Sequence, residues 1–473
     1  MNEQVAANPL GTERVGKLLI RYAIPSIISI VVNSLYNMVD QIFIGQGVGY
    51  LGNAATNILL PLTSILLALG MMIGDGTASY MSLNLGKGDK QEAAYGVGNA
   101  VTLAVGTSVI LLVVFEVFLE PFCQLFGATE GNLPYALEYG SIIILGFPFA
   151  MIDGAFGSIL RADGRPKVSM IGLLIGCITN IILDPIFIFV CHWGVKGAAW
   201  ATIIGQILNA VYFLLCMLRF KTIKVTKQHL VPKWTVIKKV LTLGTSSFIS
   251  QVASVFVIAV MNNSLVKYGA MSKYGADIPL AALGITMKVS QLITGIALGI
   301  ATGLQPIFGF NYGSGQYDRV KKTYKLALTS CTLVLVVAFF IFQFCPEYII
   351  NLFGQESDLY MEFAVKCFRV YLLACFMIGA GAVTGIFFQA IGKPVSAAVL
   401  SLSRQIIFLI PAMLLFGHLW GVEGILWAGP VGDGLSGVIS LITLGIFWKK
   451  IFSKDMAERS GLSVETVEAQ GEH

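Results

Sequence analysis

Twelve runs of 20 or more largely apolar residues divide this chain, and no other feature constrains its fold as strongly. They cover 18–44, 52–83, 94–119, 133–156, 168–190, 195–218, 238–266, 280–307, 323–345, 362–388, 395–416 and 421–449. Runs of this length match a hydrocarbon layer about 30 Å thick. Backbone polar groups in lipid must find partners inside their own segment, so each run is expected to be a helix. The short alternating segments of a membrane barrel are missing. Charged residues make up only 12% of the chain and hydrophobic residues 56%, a balance that argues against a soluble domain. The expected fold class is an all-α integral membrane protein.

Lys and Arg set the orientation. With a cytoplasmic N-terminus, the inner segments hold Arg14, Lys17, Lys87, Lys90, Arg161, Arg165, Lys167, the stretch from Arg219 to Lys239, Arg319 to Lys325, Lys393 and Lys449 to Lys454. The outer loops hold little beyond Lys196, Lys267 and Lys273, with the acids Glu120, Glu130, Glu138, Glu347, Glu356 and Asp358. An even number of spans returns the C-terminus to the cytoplasm. The expected organisation is a tail at 1–13, a first lobe at 14–218, a basic loop at 219–237, a second lobe at 238–452 and a polar tail at 453–473. Topology alone accounts for the basic loop. Residues 1–17 are polar and the first run is too long for a signal sequence, so no cleaved leader is expected.

The two lobes repeat. Asn84-Leu-Gly-Lys-Gly-Asp89 is matched by Asn311-Tyr-Gly-Ser-Gly-Gln316, and Arg161-Ala-Asp-Gly164 with Pro166 by Gln389-Ala-Ile-Gly392 with Pro394. Gly194-Val-Lys-Gly197 with Trp200 is matched by Gly421-Val-Glu-Gly424 with Trp427, at an offset of about 227 residues. Six spans per half is an even number, so this is a parallel repeat of two pseudo-symmetric six-helix bundles about an axis along the membrane normal. A cleft between two such bundles suits alternating access.

Asn180-Ile-Ile-Leu-Asp184-Pro185 lies inside the fifth run. An Asp at the centre of a membrane helix costs roughly 2.5–3.5 kcal/mol on insertion scales, so it is read as functional. Asn180 and Asp184 are four apart and share a face. Pro185 has no N–H to give Ile181, which frees a carbonyl beside the acid. Such oxygen ligands suit a proton or a small hard cation. The second half has Ile407 and Pro411 near the matching positions, so the acid is not a requirement of the repeat. Asn33, Tyr36, Asn37 and Asp40 form a polar stripe on the first run, and Asp40 is expected to meet Asp184. Asp433 lies inside the twelfth run, and Asn33, Tyr36, Asn37 and Asp433 are the candidate substrate contacts. Asp75 and Asp153 are placed toward the inner ends of their spans.

The cysteines and histidines show no metal-ligand spacing, and no phosphate-binding loop is present. No cofactor, catalytic residue or nucleic-acid partner is expected. Ion gradients remain as fuel: about 100 mV is worth roughly 2.3 kcal/mol per charge.

The chain resembles the MATE (multidrug and toxic compound extrusion) family in its MepA-like bacterial branch. The resemblance spans 14–450 and rests on Pro25 to Asp40 with Gly45, Asn84 to Asp89, Arg161 to Gly164 with Pro166, Asn180 to Pro185 and Gln389 to Gly392. It implies two six-helix bundles in a V and a cell-membrane antiporter that acts as a monomer. Such a protein exports cationic or amphipathic organic compounds in exchange for H⁺ or Na⁺. It further implies an ion site, open to Na⁺, at Asp40, Asn180, Asp184 and Thr202. The alternative within the superfamily is a flippase for lipid-linked precursors or a dedicated metabolite exporter. Few basic residues are available to line the cleft (Lys288, Arg369 and Arg404), which favours the exporter of cations.

Overall fold

The computed structural model describes residues 8–275, 277–351 and 357–460; the outer parts of both tails, and Glu356, lie outside them. Among the described residues there is no strand. The spans are helices Val15–Gly47, Tyr50–Lys87, Lys90–Val117, a bent pair Leu133–Leu145 and Phe147–Ala162, Pro166–Val190, and Val195–Met217. The second six are Trp234–Gly269, Asp277–Gly313, Tyr317–Phe344, Asp358–Ala390, Pro394–Leu426 and Ala428–Ser460. Below they are numbered first to twelfth in this order.

Several helices outrun their apolar stretches. The second and eighth continue to Lys87 and Gly313, where polar residues still satisfy the helical ladder. Hydropathy reports contact with lipid, not where the ladder ends. The last helix likewise reaches Ser460, past the expected boundary at 452. Nor is the start of the chain a free tail. Helix Pro9–Thr12 docks beneath the second lobe, where Leu10 is buried and its carbonyl accepts from Asn311 and Arg319, each at 3.0 Å.

The fourth span is not the straight segment expected from 133–156. It bends by 56° at Gly146. Pro148 lies just beyond and lacks the N–H that would bond the Ile144 carbonyl. Gly146 itself packs so closely that an added Cβ would sit 2.8 Å from Gln206. The tenth span loosens at the matching depth, as a π-turn at Cys367–Tyr371 followed by a short 3₁₀ turn.

The repeat is written into the backbone. Gly88 and Gly315 close the second and eighth helices at φ +84 and +72. In each the next residue donates back five positions, Asp89 to Asn84 at 2.9 Å and Gln316 to Asn311 at 2.8 Å, which is the Schellman closure a left-handed residue permits. Gly164 and Gly392 repeat that device before the helices opened by Pro166 and Pro394. An ion pair near the face away from the termini is repeated with its signs exchanged, Glu138 with Lys196 at 3.3 Å and Lys366 with Glu423 at 2.8 Å.

The lobes meet closely on the face that carries the described ends of the chain, here the terminal face. The second and seventh helices touch backbone to backbone: a Cβ on Gly244 would meet the Met72 carbonyl at 1.8 Å, and one on Gly76 the Val240 carbonyl at 2.1 Å. Gly86 and Gly313 make the same approach between the second and eighth. Toward the other face Asn33, Asn37, Asn262 and Asn263 are exposed.

The loop between the lobes is strapped to the first lobe. Asp163, fully buried, accepts from the backbone N–H groups of Lys221 and Thr222 at 3.1 and 3.0 Å, from the Thr222 hydroxyl at 2.7 Å and from Arg165 at 2.6 Å. Asn99 accepts from the Lys233 N–H at 2.6 Å and donates to the His229 carbonyl at 3.1 Å. Asp163→Ala removes three loop bonds of about 1 kcal/mol each and leaves Arg165 without its partner. The expected result is a melting temperature lower by several degrees, read by intrinsic fluorescence of the purified protein.

Candidate ion and substrate site

The fifth helix carries Asn180 and Asp184 one turn apart on its buried face, and its geometry changes directly after them. Pro185 is followed by a π-turn, Ile186–Val190. Such single π-turns are frequent at functional sites. The sixth helix brings Thr202 alongside. With its amide turned to satisfy both ends, Asn180 Nδ2 donates to Asp184 Oδ2 at 2.8 Å. Its Oδ1 then accepts from the backbone N–H and the hydroxyl of Thr202, each at 3.1 Å.

The first helix supplies Asp40 and Tyr36. The Asp40 and Asp184 carboxyl groups lie within hydrogen-bonding reach of each other. Asp184 is fully buried and Asp40 nearly so. Tyr36 lies beside Thr202. All four expected ion-site residues, with Tyr36, therefore converge in the first lobe. One further residue joins them that the sequence did not reveal: Tyr139, on the outer half of the bent fourth span, also lies beside Thr202. An aromatic residue in a short apolar helix carries no periodic signal.

Among the described residues no basic side chain acts on either acid, and Asp40 Oδ1 is buried without a hydrogen-bond partner. Two like charges about 4 Å apart repel by about 4 kcal/mol at an effective dielectric of about 20. The cluster is thus short of one positive charge. A shared proton supplies it, and so does a monovalent cation held by oxygens of Asp40, Asp184, Asn180 and Thr202. Among the described residues no group of three His, Cys, Asp or Glu side chains offers a site for a transition metal.

The remaining candidates lie apart from this cluster. Asn33 and Asn37 are exposed on the first helix, Asn37 Nδ2 donating to the Asn33 carbonyl at 2.7 Å. Asp433 is in the second lobe, buried and paired with Arg404 at 2.7 Å, so its charge is already balanced.

The family model MatE matches residues 25–186 and 247–414. The chain belongs to the MATE family. It is 25% identical to the multidrug export protein MepA of Staphylococcus haemolyticus, over 87% of this chain and 89% of that one. It is 24% identical to MepA of Staphylococcus aureus, over 90% and 92%. Among solved structures, a multidrug resistance MATE transporter in an outward-facing conformation superimposes with a TM-score of 0.84 at 22% identity, covering 93% of this chain and 96% of that one. The MATE fold, two bundles of membrane-spanning helices, is therefore the fold of this multi-pass membrane protein.

Asp75 of this MATE chain is buried where the lobes meet, accepting from Ser158 at 2.6 Å in its own lobe and from Ser247 at 2.7 Å in the other. Gln305 and Gln389 extend the network, Gln305 donating to the Asp75 carbonyl at 3.2 Å and Gln389 to Ser247 at 3.0 Å. Asp153 lies in the middle of Phe147–Ala162 rather than at the end of its span, facing Asn209.

Proposed function

We propose that this chain is a secondary active transporter, not an enzyme. In this reading it exports cationic or amphipathic organic compounds across the cell membrane in exchange for H⁺ or Na⁺. The observation that carries the reading is the acid pair in the first lobe: two buried carboxyls within reach of each other, with an orphaned oxygen and no basic partner. A single positive charge relieves that arrangement. A proton or Na⁺ entering from one side and a cationic substrate from the other compete to supply it, and such competition is coupling. Tyr36 and Tyr139 lie beside Thr202, whose hydroxyl completes the oxygen set.

The names of the MepA relatives support drug export as the activity. The terminal face is taken as cytoplasmic, since Lys and Arg concentrate there. Closure of the lobes on that face corresponds to a cleft open to the outside. Substrate contacts come from Asn33, Asn37 and the neighbouring walls.

The test is ethidium export, read as gradient-driven uptake into everted vesicles, with a Na⁺ gradient and a pH gradient imposed separately. Efflux driven by one of them, and not by the same salt without a gradient, is the expected result, and the effective gradient identifies the ion. Absence of efflux under both gradients, in vesicles shown to contain folded protein, would overturn the reading in favour of lipid-precursor transport.

A further inference from the structure

A cavity of about 810 Å³ opens on the terminal face between the starts of the first and fifth helices, apart from the acid cluster. Its lining combines two chemistries. Five cations surround it: Lys17 and Arg21 from the first helix, Arg165 and Lys167 from the opening of the fifth, and Lys221 from the loop between the lobes. Ile20, Ile24, Pro25 and Val168 form its apolar wall. Ile20 and Ile24 remain about half exposed, at 59% and 49%, so the wall is open toward the lipid side of the helices.

Two nearby acids offset only part of this charge. Glu13 lies 3.4 Å from Arg21 and 3.9 Å from Lys17 but does not line the cavity. Asp163 is spent on Arg165 and the loop. The ammonium groups of Lys167 and Lys221 are exposed and make no ion pair or hydrogen bond among the described residues. Topology explains why basic residues are on this face. It does not explain why residues from three separate segments gather around one cavity with an apolar flank.

We propose that this groove is a binding site for an anionic phospholipid of the leaflet at the terminal face. The phosphodiester lies among Lys17, Arg21, Lys167 and Lys221, and an acyl chain lies along Ile20, Ile24 and Val168. Cations at the headgroup level attract anionic lipids. The volume falls within the roughly 300–1,000 Å³ of ligand pockets. The lipid bridges the first and fifth helices at their terminal ends, and these are the helices that carry Asp40 and Asp184 further along.

The experiment is native mass spectrometry of the purified full-length protein, released from detergent after titration with phosphatidylglycerol or phosphatidylcholine. One phosphatidylglycerol retained with at least tenfold preference is expected. Lys167→Gln with Lys221→Gln should reduce that preference to less than threefold. Lys238→Gln with Lys239→Gln, which removes two exposed charges outside the groove, should leave it intact. Ile24→Trp keeps every charge and fills the apolar flank, and should also weaken retention. Equal retention of the two lipids, or groove variants indistinguishable from wild type, overturns the proposal. Displacement of phosphatidylglycerol by millimolar inorganic phosphate, with Ile24→Trp silent, replaces the lipid site with a site for free phosphate. These readouts do not depend on transport, so they stand or fall separately from the proposed efflux.

Discussion

Asp184→Asn is expected to lower gradient-driven ethidium efflux at least tenfold while leaving the protein folded and in the membrane. A tenfold loss is about 1.4 kcal/mol of coupling. The side chain keeps its shape, and Asn180 and Thr202 keep hydrogen-bonding partners. What disappears is one of the two charges that create the need for a cation. Without it, the site no longer links ion and substrate, and the variant should pass substrate only down its own gradient. Asp433→Asn is the informative contrast. Its carboxylate is balanced by Arg404 at 2.7 Å, and removing one member of a buried pair leaves the other uncompensated. It should therefore reduce melting temperature more than it reduces coupling. The measurement is the initial efflux rate per transporter, with the melting temperature taken on the same preparations. Coupled efflux unimpaired in Asp184→Asn would remove the first-lobe site from the mechanism.

Gly244→Val is expected to have the second large effect. In the closed seam a Cβ at Gly244 would sit 1.8 Å from the Met72 carbonyl, and at that distance the backbones have to part. Separation also breaks the bonds from Ser247 to Asp75 and from Gln389 to Ser247, which lie within one turn. The state sealed at the terminal face becomes inaccessible, and alternating access needs both states. Efflux should fall at least tenfold. Hydrogen exchange should rise in the second and seventh helices around 72–79 and 240–247, and not in the fifth and sixth. Wild-type efflux with unchanged exchange would mean that the seam does not have to close during transport.

The sequence carried much of this because membrane helices announce themselves. Lipid punishes every unsatisfied backbone group, so the apolar runs had to be helices. Two of the duplicated glycine motifs were legible for a related reason: only glycine closes a helix cheaply at positive φ, and Gly88 with Gly315 and Gly164 with Gly392 adopt that geometry. Asn180 and Asp184 were readable because their spacing places them on one face and because an acid in an apolar run is expensive. The bend at Gly146 and the extra turns at the helix ends were less legible, since hydropathy is blind to both.

The amino-acid sequence by itself determined the class of the protein, its duplication and the identity of its buried acids, because each is a local property of composition, spacing or backbone conformation. Only the tertiary structure decided which acids work together. Asp40 meets Asp184 because the first and fifth helices pack side by side. Asp75 binds the lobes together because glycines bring the second and seventh into backbone contact, and Asp433 is balanced because Arg404 comes from a neighbouring helix. Charge balance and reach depend on which helices are neighbours, and that is settled by packing between segments far apart in the chain.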